Sequence, residues 1–506
     1  MRLLRCLCLC GVRLQADLAS PAEAGRHVWI KVALTALALS AIPACAPHTP
    51  YTPPAVPPPA DYFKENPDWK PADPQDTLDR GAWWTMFHDA ELDTLESQVD
   101  VSNLTLKMAE ADYQQARAIV RQTRSALYPE VTATPGIAVI SPSGTRMTVP
   151  PHNAYVDVLF PADVSYEVDV WRRVRNAVSS SVASAQASAA DVESARLSVH
   201  AELADDYFAL RSLDRDKALL DDTVAAYERA LQLTQNRYNG GLASALDVAQ
   251  AQTQLETTRA DAIDVESQRA AFEHAIAVLI GRQPSTFSIE QSTIGSPAPP
   301  DVPGIVPSTL LERRPDIASA ERRVAASVAQ IDVARAALYP LISLSAAAGF
   351  ESGAFGRILT AASGLWTIAP LATIPVFDAG RRRAVVAQRR AEFEENAAGY
   401  QQTVLSAFRE VEDQLAALRV LADEAEVQAR GVDAARRSLT LATNRYTGGV
   451  ATYLEVISAQ SAELASERVQ IGIETRRKTA TVLLLKAIGG GWNASSLPSA
   501  AAIQAR

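Results

Sequence analysis

The apolar residues of this chain follow two different periods, and the longer one predicts helices. Over long stretches they recur every three or four residues, which is typical of amphipathic helices. Between Arg173 and Tyr238 there is neither proline nor glycine, and leucine and valine recur at three-, four- and seven-residue steps. At 1.5 Å per residue this helix would be about 100 Å long. We predict long paired helices, with Gly-Gly turns at 239–241 and 447–449.

Four shorter segments instead alternate apolar and polar residues, which is the period of a β-strand. Pro161 and Pro370 lie inside two of them, where proline normally argues against a central strand. Because the two prolines are separated by 370 − 161 = 209 residues, close to a repeat distance described next, we interpret them as positioned bends. The predicted strands cover about residues 130–140, 154–167, 341–350 and 366–377.

The chain also repeats its own plan. The tripeptide at 236–238, Asn-Arg-Tyr, returns at 444–446, and Ile-Gly at 280–281 returns at 488–489, each with an offset of 208 residues. A long internal repeat indicates two copies of one structural unit. We predict a first repeat at 81–283, a proline-rich linker at 284–307, a second repeat at 308–492 and a C-terminal tail at 493–506.

The N-terminus is predicted to be an export signal. Lys31 precedes an apolar run that ends at Pro43-Ala44-Cys45, so we expect residues 1–44 to be removed. Residues 1–27 fit no such pattern, which favours a translation start at Val28. A cysteine directly after the run resembles a bacterial lipobox, and we expect lipid on Cys45, with a plain signal peptide as the alternative. Residues 45–80 then form an extended, lipid-anchored arm.

Composition excludes several classes of function. The net charge of −10 provides no electrostatic footprint for nucleic acid. All four cysteines lie in the first 45 residues, and the six histidines show no metal-ligand spacing. P-loop, nucleophile-elbow and CxxC motifs are also absent from the sequence. We therefore expect no catalytic residue, no metal and no cofactor other than the lipid on Cys45.

The strands raise a physical problem that assembly would solve. Strands of about ten tilted residues are long enough to cross a bilayer. Four strands are too few to close a barrel, and an open sheet edge in lipid is costly. Copies of the chain must therefore combine if the strands span a membrane. The alternative is a periplasmic structural coiled coil without a pore.

Five motifs occur along the chain, in the order Trp83-Trp84-x-x-Phe87-x-Asp89, Asn103-Leu104, Arg313-Arg314-Pro315-Asp316-Ile317, Phe377-Asp378-x-Gly380-Arg381 and Asn444-Arg445-Tyr446-x-x-Gly449. In sequence and order they resemble those of the bacterial outer-membrane efflux factors, the TolC-like family, and especially its NodT-like lipoproteins from tripartite drug-efflux systems. The resemblance covers about residues 80–492, with one departure at Arg172, where the family usually has glycine.

The resemblance implies a mainly α-helical protein with membrane β-structure. Three chains would close a 12-stranded outer-membrane β-barrel, continuous with a long periplasmic α-helical barrel. The implied function is passive export of drugs or other small molecules. The implied partners are a periplasmic adaptor and an inner-membrane pump, with the protein anchored in the outer membrane. A duct for type I protein secretion is the functional alternative.

The resemblance also implies a gate at the periplasmic turns. Tyr446, Glu455 and Ser458 match positions that line the constriction, although relatives commonly have an acid at Ser458. Asp247, the repeat mate of Glu455, could bond neighbouring helices. Three copies of Glu455 would form a carboxylate ring that favours cations; the alternative for these residues is a solvated helix surface or a cap. The predicted adaptor contacts are Tyr238, Gly240, Gly241, Gly448 and Gly449.

Overall fold

The computed structural model describes residues 49–55, 82–141, 154–292, 300 and 313–505. The predicted export signal, Cys45 and most of the arm lie outside these residues, as does much of the linker. The chain divides into two compact units. One comprises the described parts of Ala126–Asn176 and Asp332–Arg383, with Thr49; the other comprises those of Pro50–Ser125, Ala177–Ile331 and Ala384–Arg506.

The first unit is built on one antiparallel sheet. Both β1 and β2 pair with β3, so they share one position, and the order is β1/β2, β3, β4, β5. Within the described residues the outer edges of β1/β2 and β5 pair with no other strand. The strands are β1 (Glu130–Ala133), β2 (Gly136–Ile140), β3 (Tyr155–Glu167), β4 (Leu341–Ser352) and β5 (Gly364–Thr373).

The prolines explain where the strands break and end. Pro135 separates β1 from β2, since it has no N–H to donate to the ladder. Pro161 lies opposite this gap, because β2 pairs as far as Leu159 and β1 pairs from Ala162 onward. Pro370 lies in the edge strand β5, where a missing donor is tolerated.

The fourth predicted strand, 366–377, corresponds to β5, which has different bounds. It begins at Gly364 and ends at Thr373, which pairs with Leu341, the first residue of β4. The preceding residue of the partner is Pro340, and β5 is followed by Pro375. Neither proline has an N–H to donate, so the hydrogen-bonded ladder stops there. The alternation of apolar and polar residues in the sequence continues beyond it.

The junction between β3 and the next helix contains a strained residue. Arg172 has φ +61, in the left-handed region that favours glycine. Its neighbours hold it there. The Trp171 indole N–H donates to the Pro340 carbonyl at 2.7 Å, and the Asp169 carboxylate accepts the backbone N–H groups of Val174 and Arg175. The strain explains why glycine suits this position.

Replacing Arg172 by glycine is expected to raise the free energy of unfolding by about 1 kcal/mol, because glycine adopts positive φ without a Cβ penalty. Denaturant unfolding of the purified protein measures this difference. Arg175→Gly, in the first turn of the helix that begins at Arg173, is the matched control, and it should destabilise by about 1 kcal/mol because glycine loses more backbone freedom on entering a helix. Equal losses in both variants would contradict the account.

Among the eight described α-helices, the four longest form two pairs of equal length. The two longest, α3 and α6, have 67 residues each, and α4 and α7 have 35 each. Both pairs start 208 residues apart, at 381 − 173 and 453 − 245. None of the described helices is both long and apolar enough to cross a bilayer. The helices are α1 (Ala90–Ser102), α2 (Leu104–Ser125), α3 (Arg173–Asn239), α4 (Ala245–Leu279), α5 (Pro315–Ala336), α6 (Arg381–Thr447), α7 (Tyr453–Ala487) and α8 (Ala500–Gln504).

Asn103 separates α1 from α2. Its backbone is extended, at φ −62 and ψ 128. Its side-chain oxygen accepts the Leu106 N–H at 2.9 Å, and its amide donates to the Leu279 carbonyl at 2.7 Å. The side chain therefore caps α2 and ties it to the end of α4.

The Trp83–Phe87 segment anchors the helical core. It forms a 3₁₀ turn in which Trp83 and Phe87 are buried, and the Phe87 ring lies 4.8 Å from that of Phe208. Tyr207 donates its hydroxyl to the Asp89 carboxylate, which also caps α1. Burial of each large aromatic side chain contributes roughly 2–3 kcal/mol. The Trp-Trp motif is thus a core element of the second unit.

A buried carboxylate and imidazole lie next to this core. Glu96 Oε2 is 2.6 Å from His200 Nδ1, and both residues are almost fully buried. The Trp84 ring stacks on His200 at 4.4 Å. Burial raises the pKa of Glu96 to about 7, with the hydrogen bond from His200 opposing the shift.

This pair predicts a pH-dependent stability. Because the folded pKa of Glu96 is raised from 4.5 to about 7, its contribution is fully present below pH 4.5 and lost as pH rises through about 7. The loss is about 3 kcal/mol. The unfolding free energy of the wild type should therefore fall by about 3 kcal/mol relative to that of Glu96→Gln as pH rises from 4.5 to about 7, because glutamine does not titrate. Parallel pH profiles would contradict the assignment.

Candidate functional site at the hairpin turns

Two helical hairpins, α3–α4 and α6–α7, end in turns of the same geometry. After α3 the N–H of Gly241 bonds the Tyr238 carbonyl at 2.9 Å, and after α6 the N–H of Gly449 bonds that of Tyr446 at 3.0 Å. Gly241 and Gly449 have φ +73 and +76. Left-handed glycine closes both helices, which explains the second glycine of each Gly-Gly pair.

The two turns differ in how the returning helix is capped. In the first turn, Ser244 and Asp247 form a capping box, with Ser244 N–H donating to Asp247 at 2.8 Å. In the second, Thr452 makes no side-chain capping bond. Glu455, the counterpart of Asp247, lies instead 3.6 Å from Arg445 Nε. The second helix start therefore lacks the reciprocal hydrogen bonds that fix the first.

An aromatic cluster joins the two hairpins behind the turns. Tyr446 is 5% exposed and packs against Tyr453, at 5.2 Å between ring centroids, and against Ala251 of the other hairpin. Arg237 crosses from the first hairpin, with its guanidinium 4.7 Å from the Tyr446 ring centroid. Arg237 also donates to the Thr447 carbonyl at 3.3 Å. A cation–π contact and a hydrogen bond thus hold the turns together.

The predicted gate residues divide into exposed and enclosed groups. Glu455 and Ser458 are exposed and lie three residues apart on α7, with the Ser458 hydroxyl donating to the Leu454 carbonyl. Asp247 uses its carboxylate within its own hairpin, as a cap. Tyr446 is buried within the chain, whereas its mate Tyr238 is 44% exposed. Their participation in a constriction stays a prediction.

From the sequence alone, Arg237 and Arg445 are recognisable only as members of a repeated motif. In the structure each contacts a predicted gate residue: Arg237 lies over Tyr446, and Arg445 pairs with Glu455. Their identical place in the two Asn-Arg-Tyr motifs was the available indication. The different contacts arise from tertiary packing, which a repeat alone does not reveal.

Comparisons with known proteins bear on this arrangement. The sequence model of the family described as "Outer membrane efflux protein" matches residues 95–282 and 306–490. The chain is 31% identical over 418 residues to the probable efflux pump outer membrane protein TtgC of Pseudomonas putida, covering 81% of this chain and 85% of the relative. It is 28% identical over 415 residues to the probable outer membrane lipoprotein SilC of Salmonella typhimurium, covering 81% and 88%. The solved structure of the outer-membrane channel OprN matches with a TM-score of 0.81 and 28% identity, over 88% of this chain and 100% of that one.

Proposed function

The chain belongs to the outer membrane efflux protein family, and we propose that it is the outer-membrane duct of a tripartite efflux pump. It is an outer-membrane protein, and its family consists of channels rather than enzymes. Substrate would pass from an inner-membrane pump and a periplasmic adaptor to the exterior. A passive duct need not recognise its cargo, so the adaptor and pump would select the substrate.

We infer a homotrimer with a 12-stranded barrel. The observation that carries this inference is that, among the described strands, the sheet has two unpaired outer edges, at β1/β2 and β5. Its exposed apolar side chains include Ile137, Phe160 and Trp366, at 68%, 55% and 77% exposure. In lipid an open edge is too costly, and three sheets of four positions would supply 4 × 3 = 12 strands. The equal helix pairs support two structural repeats per chain.

Conductance and molecular mass test this proposal. The purified protein should show a protein mass near three chains by light scattering in detergent, and it should form ion-conducting pores in a planar bilayer. A monomeric protein without conductance would support the pore-free coiled coil instead. A conducting trimer that binds no adaptor would support the duct but contradict its assignment to a tripartite pump.

Glu455 is expected to set the ion preference of the pore. If three copies form a carboxylate ring, Glu455→Gln should lower the preference for cations in single-channel recordings. Arg445 lies 3.6 Å from that carboxylate and offsets its charge, so Arg445→Gln should raise the preference. These opposite shifts are the result to look for. Selectivity that is unchanged in both variants would place Glu455 outside the constriction.

The adaptor is proposed to contact the hairpin turns. Leu242 and Val450 follow the two Gly-Gly pairs and are 72% and 70% exposed, although each is apolar. Exposed apolar side chains at both turns are suited to a protein partner. Leu242→Asp together with Val450→Asp should abolish adaptor co-purification while leaving conductance intact. Retained co-purification would place the adaptor elsewhere.

Lipid on Cys45 remains part of the proposal, supported by similarity to a protein named as an outer membrane lipoprotein. Two or more acyl chains would provide stable anchoring. Intact-mass measurement of the mature protein should find a lipid-modified N-terminal cysteine. An unmodified N-terminus would establish the plain signal peptide.

A further inference from the structure

A cavity of about 200 Å³ lies in the helical unit, apart from the hairpin turns. Its walls come from the Trp83 turn, from α3 and from the segment after α7. Trp83 and Trp492 provide indole walls, and Gly490 packs against Trp83. The volume exceeds that of a single water several-fold, so it can hold a small organic molecule. The proposed duct function assigns no role to this cavity.

His200 is a buried wall of the cavity with one unused nitrogen. It is 2% exposed, and its Nδ1 is engaged by Glu96 at 2.6 Å. Within the described residues its Nε2 has no hydrogen-bond partner, and Asp100 Oδ1 lies 3.5 Å away. In the neutral tautomer whose Nδ1–H donates to the Glu96 carboxylate, Nε2 carries a lone pair. An unpaired buried acceptor is costly, so the site is suited to an incoming N–H donor.

The charges around the cavity favour a cation. Arg196 Nη1 donates to both oxygens of Glu193, at 2.6 and 2.8 Å, and its Nε donates to Asp100 at 3.1 Å. One guanidinium thus faces two carboxylates, so the acids next to the cavity outnumber this cation. The local excess of acid would attract positive charge, and the indole rings attract cations as well.

We propose that this cavity binds a small protonated aliphatic amine. Its ammonium N–H donates to His200 Nε2, the carboxylate of Glu193 offsets its charge, and its alkyl chain lies against Trp83 and Trp492. Bound amine would link the Trp83 turn to the segment that follows α7. Amine binding at this site would therefore not depend on transport through the duct.

Thermal unfolding of the full-length protein with n-butylammonium tests the proposal. A ligand that binds only the folded protein raises the unfolding midpoint as its concentration rises. Tetramethylammonium, which has no N–H, and butyrate, which is an anion, should produce no comparable shift at the same ionic strength. Equal stabilisation by either probe, or no stabilisation by butylammonium, would overturn the proposal.

Two cavity variants and one control variant separate binding from folding. Glu193→Gln should weaken butylammonium about tenfold, as expected for loss of one charge-assisted contact. Glu394→Gln, an exposed glutamate on α6 outside the cavity, is the matched control and should bind like the wild type. Leu197→Phe, which fills the cavity without altering its charge, should abolish binding while the ligand-free midpoint reports folding. Wild-type affinity in both cavity variants would refute the site.

Discussion

Replacing Gly489 by alanine is expected to lower the free energy of unfolding by about 3 kcal/mol or more. Gly489 follows α7 with φ +94, where a side chain is strained. A Cβ there would lie 2.1 Å from the backbone oxygen of Arg313, so backbone must move as well. Strain and overpacking each cost about 1–3 kcal/mol. Denaturant unfolding followed by circular dichroism measures the loss.

The repeat supplies an internal replicate of this experiment. Gly281, 208 residues earlier, has φ +68, and its added Cβ would lie 2.5 Å from the Ser102 oxygen. Gly281→Ala should therefore show a comparable loss. Gly472→Ala, in the interior of α7 with open space around it, should instead stabilise by about 1 kcal/mol. A loss at Gly472 equal to that at Gly489 would show a general sensitivity of α7 to substitution.

These glycines illustrate which features the sequence predicts and which it leaves open. The Ile-Gly motif at 280–281 and 488–489 was visible as a repeat, but its cause was not. The cause is a close approach between α4 and the end of α1 in one half, and between the residues after α7 and Arg313 in the other. Contacts between residues some 180 positions apart leave no local pattern.

Local periodicity predicted the helices and strands for a physical reason. A 67-residue helix without proline or glycine shows its period many times over, and its end is marked by glycine. Strand ends were less predictable, because β5 stops where its partner begins rather than where its own alternation fades. The break at Asn103 depends on a hydrogen bond to α4, which lies far along the chain.

The predicted gate residues show the same contrast between features that the sequence predicts and features that depend on packing. The two turns could be predicted from the sequence, because each repeat has a Gly-Gly pair there. The burial of Tyr446 does not, because it requires Arg237 and Ala251 from the other hairpin. Nor does the pairing of Glu455 with Arg445 follow from the repeat, since the equivalent Asp247 caps its own helix. Equivalent residues of the two repeats therefore make different contacts once the two hairpins pack together.

Replacing Arg269 by alanine is expected to destabilise the helical unit by about 3 kcal/mol, because it removes a charge-assisted hydrogen bond to a buried carboxylate and a second bond to a backbone carbonyl. Arg269 on α4 is 8% exposed. Its Nε donates to Asp214 of α3 at 2.6 Å, and its Nη2 donates to the Ile289 carbonyl at 2.7 Å. The Asp214 side chain is 1% exposed, so the substitution removes one of the two guanidinium partners of a buried carboxylate. The thermal midpoint and the unfolding free energy should both fall.

Arg259→Ala on the same helix is the matched control. Arg259 pairs with Glu228 and Glu256 in solvent, where screening leaves little net stabilisation, so its substitution should hardly change the unfolding free energy. Arg269 also fixes Ile289, which lies near the start of the predicted linker after α4. Limited proteolysis should therefore cut near Ile289 faster in Arg269→Ala than in Arg259→Ala. Equal stability and equal cleavage in the two variants would show that hydrophobic packing, rather than the buried ion pair, fastens the linker to the first hairpin.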